Sequence, residues 1–365
     1  MISTVYDVFR YNDSMALKSY LKQNWKLLLN ILTLLSLAFL VYALRHQLAT
    51  TIDNLKHVKA WALLLIIPLE ILNYHAQARL YQRLFAIIGN RLSYKYLFKM
   101  SLELNFVNHV FPSGGVTGIS YFGVRLRDGD KITGGRATFI QVMKLAMTLL
   151  TFEALIVFGL LALVVVGRAN NMTILVAGSL STLLVVGTAG FIYIAGSRHR
   201  INSFITTMTK ALNKLIHLVR PRNPETLNID RVAKIFDDFH DSYYQLRQSH
   251  QKLKGPLMYA LMANVTEVMV LYVVYIAFGN MVNIGAVILA YAIANFAGFV
   301  SVLPGGIGIY EALMTAVLVS TGVPAAISLP VTVMYRVLNT LIQLPPGYYL
   351  YHRNLTRQPS NLQVK

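Results

Sequence analysis

Apolar sequence in this chain is broken twice by clusters of proline and glycine, once in each half. The first break reads Phe111-Pro112-Ser113-Gly114-Gly115-Val116-Thr117-Gly118, and the second reads Leu303-Pro304-Gly305-Gly306-Ile307-Gly308. Proline has no N–H to donate and its ring collides with the preceding helical turn, so a regular helix does not run through either segment. At bilayer depth no water satisfies a freed backbone, and such a break survives only inside protein or beside a water-filled cavity. An Asn-Phe pair precedes each break (Asn105-Phe106 and Asn295-Phe296). A basic residue follows each proline at the same distance, Lys144 after Pro112 (144 − 112 = 32) and Arg336 after Pro304 (336 − 304 = 32). A matched pair of breaks in two halves of a membrane chain is the sequence pointer to a transporter's binding site.

The rest of the composition agrees with a membrane setting. Of 365 residues, 55% are hydrophobic and 13% charged, with a mean hydropathy of +0.52. The apolar runs extend along the whole chain, which predicts one integrated bundle rather than two soluble domains. There is no cysteine, which excludes disulfides, thiolate metal sites and cysteine nucleophiles. Lys and Arg outnumber Asp and Glu by 33 to 15, a net charge of +18. In a membrane protein this excess is read as the positive-inside bias, reinforced by anionic lipid at about 1 kcal/mol per basic residue. No nucleic-acid-binding motif accompanies it, and no nucleic acid is expected as a partner. Trp25–Leu44 is long enough to span and no small-residue cleavage site follows it, so it reads as a first span and not as a cleavable signal.

Further spans are expected at about Trp61–Ile88, Arg136–Val166, Thr173–Ala195, Pro256–Phe278 and Pro324–Tyr351, the last with Pro345-Pro346 inside it. Shorter segments flank the breaks: Tyr96–Phe111, then a basic turn at Arg125–Lys131, and Ile284–Leu303 followed by Ile309–Thr321. Residues 198–255 carry a dense share of the charge. Apolar residues there recur on one helical face in two runs, divided at Arg220-Pro221-Arg222-Asn223-Pro224. That pattern predicts an amphipathic helical hairpin, on the membrane surface or against the bundle. The expected organisation is an N-terminal half at 1–197, this cytoplasmic hairpin at 198–255, and a C-terminal half with a polar tail at 256–365. Basic loops place the termini, the Arg125–Arg136 region and the hairpin in the cytoplasm. Nearly uncharged loops at Gly167–Asn171, Gly279–Asn283 and Gly322 face outside; Arg45–Lys59, with three basic residues, fits less well. The two broken segments then enter from opposite faces. The expectation is an all-α, polytopic bundle of inverted-topology repeats with two re-entrant hairpins, the architecture of alternating access.

The second break with its continuation, Leu303-Pro304-Gly305-Gly306-Ile307-Gly308-Ile309-Tyr310-Glu311, the later Tyr335-Arg336, and Phe111-Pro112-Ser113-Gly114-Gly115 resemble the lysylphosphatidylglycerol synthase transmembrane-region family. That family includes the flippase half of the bacterial multiple peptide resistance factor. The resemblance covers about residues 25 to 351. It implies a multi-pass bacterial inner-membrane lipid translocase, moving an anionic phospholipid or a polyprenyl-phosphate-linked lipid between leaflets. No soluble acyltransferase-sized domain follows Tyr351, so lipid aminoacylation is not carried over, and an enzyme is not expected.

Lys144 and Arg336 are the leading site candidates, because a charge in mid-bilayer costs roughly 2.5–3.5 kcal/mol and normally faces a cavity or a partner. Arg suits a phosphate bidentately and Lys acts as a point charge; the bland alternative is a structural ion pair, with Glu153 or Glu267 as candidate partners. The amides of Gly114, Gly115, Gly305 and Gly306 would aim helix N-termini at an anion, or would serve only tight turns and close packing. Glu311, Glu103, Glu70, Glu153 and Glu267 sit in or near apolar sequence, either as neutralising partners or as a proton carrier. Asn105 and Asn295 read as interhelical hydrogen bonders beside the site, and His75 and His109 as satisfied polar contacts. No metal and no cofactor is expected. The expected partners are membrane lipids with anionic head groups, and a homodimer is compatible with the sequence.

Two other classes remain open on the residues. Asp128-Gly129-Asp130 matches the Asp-x-Asp with which membrane glycosyltransferases hold a divalent cation, although Asp-Gly is also a good turn and Arg125, Arg127 and Lys131 stand beside it. Divalent-metal binding lost in Asp128→Ala would mark that enzyme. A non-transporting scaffold for envelope lipid synthesis would need neither buried cations nor paired breaks.

Overall fold

The computed structural model describes residues 51–56, 58–111, 116–130, 132–197, 199–200, 229–300 and 308–356, with isolated positions elsewhere. Among the described residues every regular element is a helix. In chain order they are α1 (Ala60–Leu63), α2 (Ile66–Ile87), α3 (Tyr94–Val110), α4 (Val116–Asp130), α5 (Gly134–Val165), α6 (Asn171–Ala195), α7 (Ile229–Gln248), α8 (Lys254–Ala277), α9 (Ile284–Val300), α10 (Ile309–Ser320) and α11 (Ala325–Thr356). A 3₁₀ turn at His250–Leu253 leads into α8.

Polar caps and glycines set many of the boundaries. Ser93 and Thr133 accept the backbone N–H of Tyr96 and Arg136 at the starts of α3 and α5, and Asn170 accepts that of Thr173 at the start of α6. Gly89, Gly167, Gly279 and Gly322 follow α2, α5, α8 and α10 with positive φ, where a side chain would be strained. Four described helices are long and apolar enough to cross a membrane, at Gly134–Val165, Asn171–Ile194, Gln251–Ala277 and Ala325–Leu355. Their outward faces are apolar: Phe158, Leu161 and Val165 on α5 and Met172, Leu175 and Val186 on α6 are all more than half exposed. Such surface is rare on a soluble monomer and is what a lipid solvent requires.

Packing pairs the two halves crosswise. α2 lies along α8, α3 along α11, and α5 along α9, while α3–α4 and α9–α10 pack as neighbours on either side of the two breaks. Glycine permits both cross-half contacts of the broken segments. A Cβ on Gly347 of α11 would stand 2.6 Å from the Leu102 carbonyl oxygen of α3, and one on Gly285 of α9 would stand 2.7 Å from the Gly159 carbonyl oxygen of α5. One buried cluster joins α5, α6 and α8–α11 with Ile66 at the start of α2, and a second joins α2–α5 and α7 with Ala260 of α8.

One expectation changes. The expected basic turn at Arg125–Lys131 is helical as far as Asp130. Phe122 and Leu126, four residues apart, are fully buried against the second cluster and carry the helical face into the basic stretch. In the 198–255 segment, α7 rests on the bundle: Phe239 meets Phe139 of α5 edge to face, ring centroids 5.1 Å apart. The first arm of that hairpin, the first span at Trp25–Leu44, the tips at Pro112–Gly115 and Pro304–Gly306, and the tail beyond Thr356 lie mostly or wholly outside the described residues.

Candidate functional site

The polar residues of the bundle converge on a cavity of about 450 Å³ between the two buried clusters, lined from α2, α3, α4, α5, α8, α9, α10 and α11. Lys144 of α5 and Arg336 of α11 both border it, one from each half, as do Asn105 and Asn295. The two cations are held differently. Arg336 Nη1 donates to Glu311 Oε1 of α10 at 2.9 Å, with both side chains largely buried, and its guanidinium lies over the Tyr310 ring at 4.7 Å. Glu311 also accepts the Gly308 N–H through Oε2 at 2.7 Å, capping the helix that starts after the second break. Glu311 therefore fixes Arg336 and the entry into α10 at once. The ion pair read as an alternative for Arg336 exists, with Glu311 rather than Glu153 or Glu267 as its partner.

Lys144 has no carboxylate partner among the described residues. Its Nζ donates to Gln77 Oε1 of α2 at 2.9 Å and stands 4.9 Å from the Tyr81 ring centroid. Gln77 is held by Asn73, whose own amide reaches the Ala263 carbonyl and the Thr266 hydroxyl of α8. A chain of amides thus positions the ammonium without neutralising it. The ring face and the Gln77 oxygen offset part of the charge, leaving a cation at the wall of a polar cavity.

Asn105 donates to the Tyr74 hydroxyl of α2 and to Gln343 Oε1 of α11, each at 2.5 Å. Asn295 donates to its own helix at Tyr291 and to the Tyr310 hydroxyl at 3.2 Å. Both make the interhelical bonds expected of them. His75 pairs with the Tyr94 hydroxyl at 2.9 Å, away from the cavity, whereas His109 borders the cavity with its Nδ1 2.9 Å from the Asn105 carbonyl oxygen. Because that partner only accepts, Nδ1 carries the hydrogen and Nε2 is left as an acceptor. Gly114, Gly115, Gly305 and Gly306 lie outside the described residues, as do the side chains of Asp128 and Asp130.

The remaining glutamates separate by environment. Glu103 takes Arg125 Nε at 3.2 Å, the Tyr121 hydroxyl at 2.5 Å and the Asn354 amide, tying α3, α4 and α11 together. Glu267 borders the cavity and accepts from Tyr335 at 2.9 Å and Asn339 at 3.2 Å. Glu70 is 2% exposed and accepts from Gln343 at 2.9 Å. Glu153 lies in a separate apolar crevice between α5 and α6.

Sequence reasoning missed the amides Asn73, Gln77, Asn339 and Gln343. Their signal is spacing: Glu70, Asn73 and Gln77 on α2, and Arg336, Asn339 and Gln343 on α11, each form a polar stripe along one face of a helix.

An apolar exterior, spanning-length helices and an inward polar cavity with a cation from each half define a multi-pass helical membrane protein with an internal polar site. The chain belongs to the lysylphosphatidylglycerol synthase TM region family, whose model matches residues 28–347. Among curated proteins it is similar to a UPF0104 membrane protein of Methanothermobacter thermautotrophicus, 27% identical over 157 residues, which is 37% of this chain and 47% of that relative. It is also similar to a UPF0104 membrane protein of Pyrococcus horikoshii, 24% identical over 117 residues, which is 32% of this chain and 35% of that relative. The matches thus span under half the length of these relatives.

Proposed function

We propose that the protein is a lipid translocase, moving an anionic phospholipid or a polyprenyl-phosphate-linked lipid between membrane leaflets. The observation that carries this reading is Lys144, an ammonium with no carboxylate partner among the described residues, on the wall of a cavity it shares with Arg336. A phosphate crossing hydrocarbon loses its hydration, and an unpaired buried charge is prohibitive without compensation. Here Lys144 supplies a point charge and the surrounding amides and tyrosine hydroxyls supply hydrogen bonds, while the acyl chains stay in the bilayer. Arg336, already anchored by Glu311, adds a second donor set to the same cavity.

Crosswise packing supports a two-fold relation of the halves, in which α3–α4 and α9–α10 are re-entrant hairpins of inverted repeats. Rocking one half against the other then opens the cavity to either leaflet. The setting we assign is the bacterial inner membrane, with both termini in the cytoplasm.

The test is exchange of a labelled anionic lipid between leaflets of liposomes containing the purified protein. Lys144→Gln keeps a hydrogen bond to Gln77 and removes the charge; it should slow exchange about tenfold, the loss of one charge-assisted contact of about 1.5 kcal/mol. Lys252→Ala, on the exposed turn before α8, should leave the rate unchanged. Wild-type exchange at the rate of protein-free liposomes with every anionic lipid tried would overturn the reading.

A further inference from the structure

Two carboxylates, one lining the cavity and one behind it, surround one amide. Gln343 Nε2 donates to Glu70 Oε2 at 2.9 Å and lies 3.5 Å from Glu267 Oε1, so side chains of α2 and α8 meet on a single donor from α11. Glu267 faces the cavity, and Glu70 sits behind it with Oε1 buried and without a hydrogen-bond partner among the described residues. The groups facing the pair from the packed helices are Tyr74 of α2, Tyr291 of α9, Tyr310 of α10 and Tyr335 of α11, all neutral phenols. The cations of the cavity are committed elsewhere, Arg336 to Glu311 and Lys144 to Gln77, and His109 Nδ1 to its own helix. Two anions meeting on one amide in a buried site, Glu267 with Tyr335 and Asn339 as further donors and Glu70 with an orphaned oxygen, are strongly disfavoured against a state in which one of them is protonated.

From this arrangement we propose that Glu70 and Glu267 form a proton site coupled to the head group, so that each anionic lipid entering the cavity brings one proton onto the pair. The reasoning is charge balance and rests on the translocase reading. With one proton the pair carries one negative charge, balanced without contact by the Lys144 ammonium on the same cavity, and Arg336 cancels Glu311. The empty cavity is then neutral. A monoanionic head group contacting Lys144 would leave it one negative charge in excess. A second proton, taken from cavity water onto Glu267, restores neutrality, and its release on the other side follows departure of the lipid. Lipid movement then runs with the proton gradient. Lys144 reads the head group, Glu267 exchanges the proton with the cavity, and Gln343 holds the two carboxylates in register.

The experiment adds short-chain phosphatidylglycerol to detergent-solubilised protein in weakly buffered solution, following lipid binding calorimetrically and proton uptake with a pH-sensitive dye. Short-chain phosphatidylcholine, which carries no net charge, serves as the comparison. The wild type should take up about one proton per phosphatidylglycerol bound, with growth of a carboxylic-acid carbonyl band in the infrared difference spectrum. Glu267→Gln should still bind the lipid and lose both signals. Phosphatidylglycerol binding by the wild type with no proton uptake overturns the coupling and leaves the translocase reading intact. No phosphatidylglycerol binding at all overturns both. Binding that requires sodium in place of protons also overturns the proton site. The wild-type measurement stands without any variant, so a poorly folded Glu267→Gln does not shelter the proposal.

Discussion

At the residue scale, the two cations that occupy matched positions after the breaks do different work. Arg336 is half of a buried pair with Glu311, and removing either partner strands a charge, a change that typically costs about 3–5 kcal/mol. Arg336→Ala therefore mixes binding with stability. Lys144→Gln does so less, because no carboxylate among the described residues is paired with Lys144. The same logic makes Glu103 structural. Arg125→Ala should leave a nearly fully buried carboxylate with only tyrosine and amide donors and destabilise the protein by about 1–3 kcal/mol, less than for a wholly buried pair because Arg125 is partly exposed. A lowered apparent Tm in detergent, with lipid exchange by the folded fraction unchanged, is the expected result; an unchanged Tm would contradict it. The sequence marks all five glutamates as out of place in apolar surroundings, but their partners come from helices far along the chain. Arg125 is 22 residues from Glu103, and Gln343 is 273 residues from Glu70. Which glutamate is neutralised by a cation and which shares an amide depends on packing that local sequence does not encode.

At the scale of elements, helix positions were largely legible because composition switches abruptly at their ends. Spans placed by apolar length coincide with α5, α6, α8 and α11 to within a few residues. The basic end of α4 was not legible: Asp-Gly is a turn signal, and the burial of Phe122 against Phe85 of α2 and of Leu126 in the same cluster overrides it. The polar stripes of α2 and α11 are visible as spacing, yet amides in an apolar helix serve equally as interhelical glue, and the cavity decides between the two. Glycines are similarly ambiguous until packing is known. Gly285 and Gly178 look alike in sequence, but a Cβ at Gly285 meets backbone at 2.7 Å while one at Gly178 meets nothing within 4 Å. Gly285→Leu should separate α9 from α5 and lower the Tm sharply, through an overpacking cost of about 1–3 kcal/mol or more, whereas Gly178→Leu on the exposed face of α6 should shift it little. Equal melting of the two variants would show that this helix contact is not tight.

At the scale of the whole molecule, the crosswise pairing of α2 with α8, α3 with α11 and α5 with α9 leaves a polar cavity between two apolar clusters. Equal spacing of Lys144 and Arg336 from their prolines pointed to a shared location, and both line that cavity. The inverted relation proposed for the halves makes a topological prediction that this chain, with no cysteine, is well suited to test. Arg127→Cys and Gly322→Cys should react with an impermeant thiol reagent from opposite sides of the membrane; labelling from one and the same side would contradict inversion.

The central claim is that the cavity holds an anionic head group against Lys144. Native mass spectrometry of the protein released from gentle detergent measures this directly. The wild type and Lys252→Ala should retain the same anionic lipid, and Lys144→Gln should lose most of it, about tenfold in the bound fraction at low occupancy. Equal retention of that lipid by the wild type and Lys144→Gln, or a wild type carrying no anionic lipid, would contradict the account.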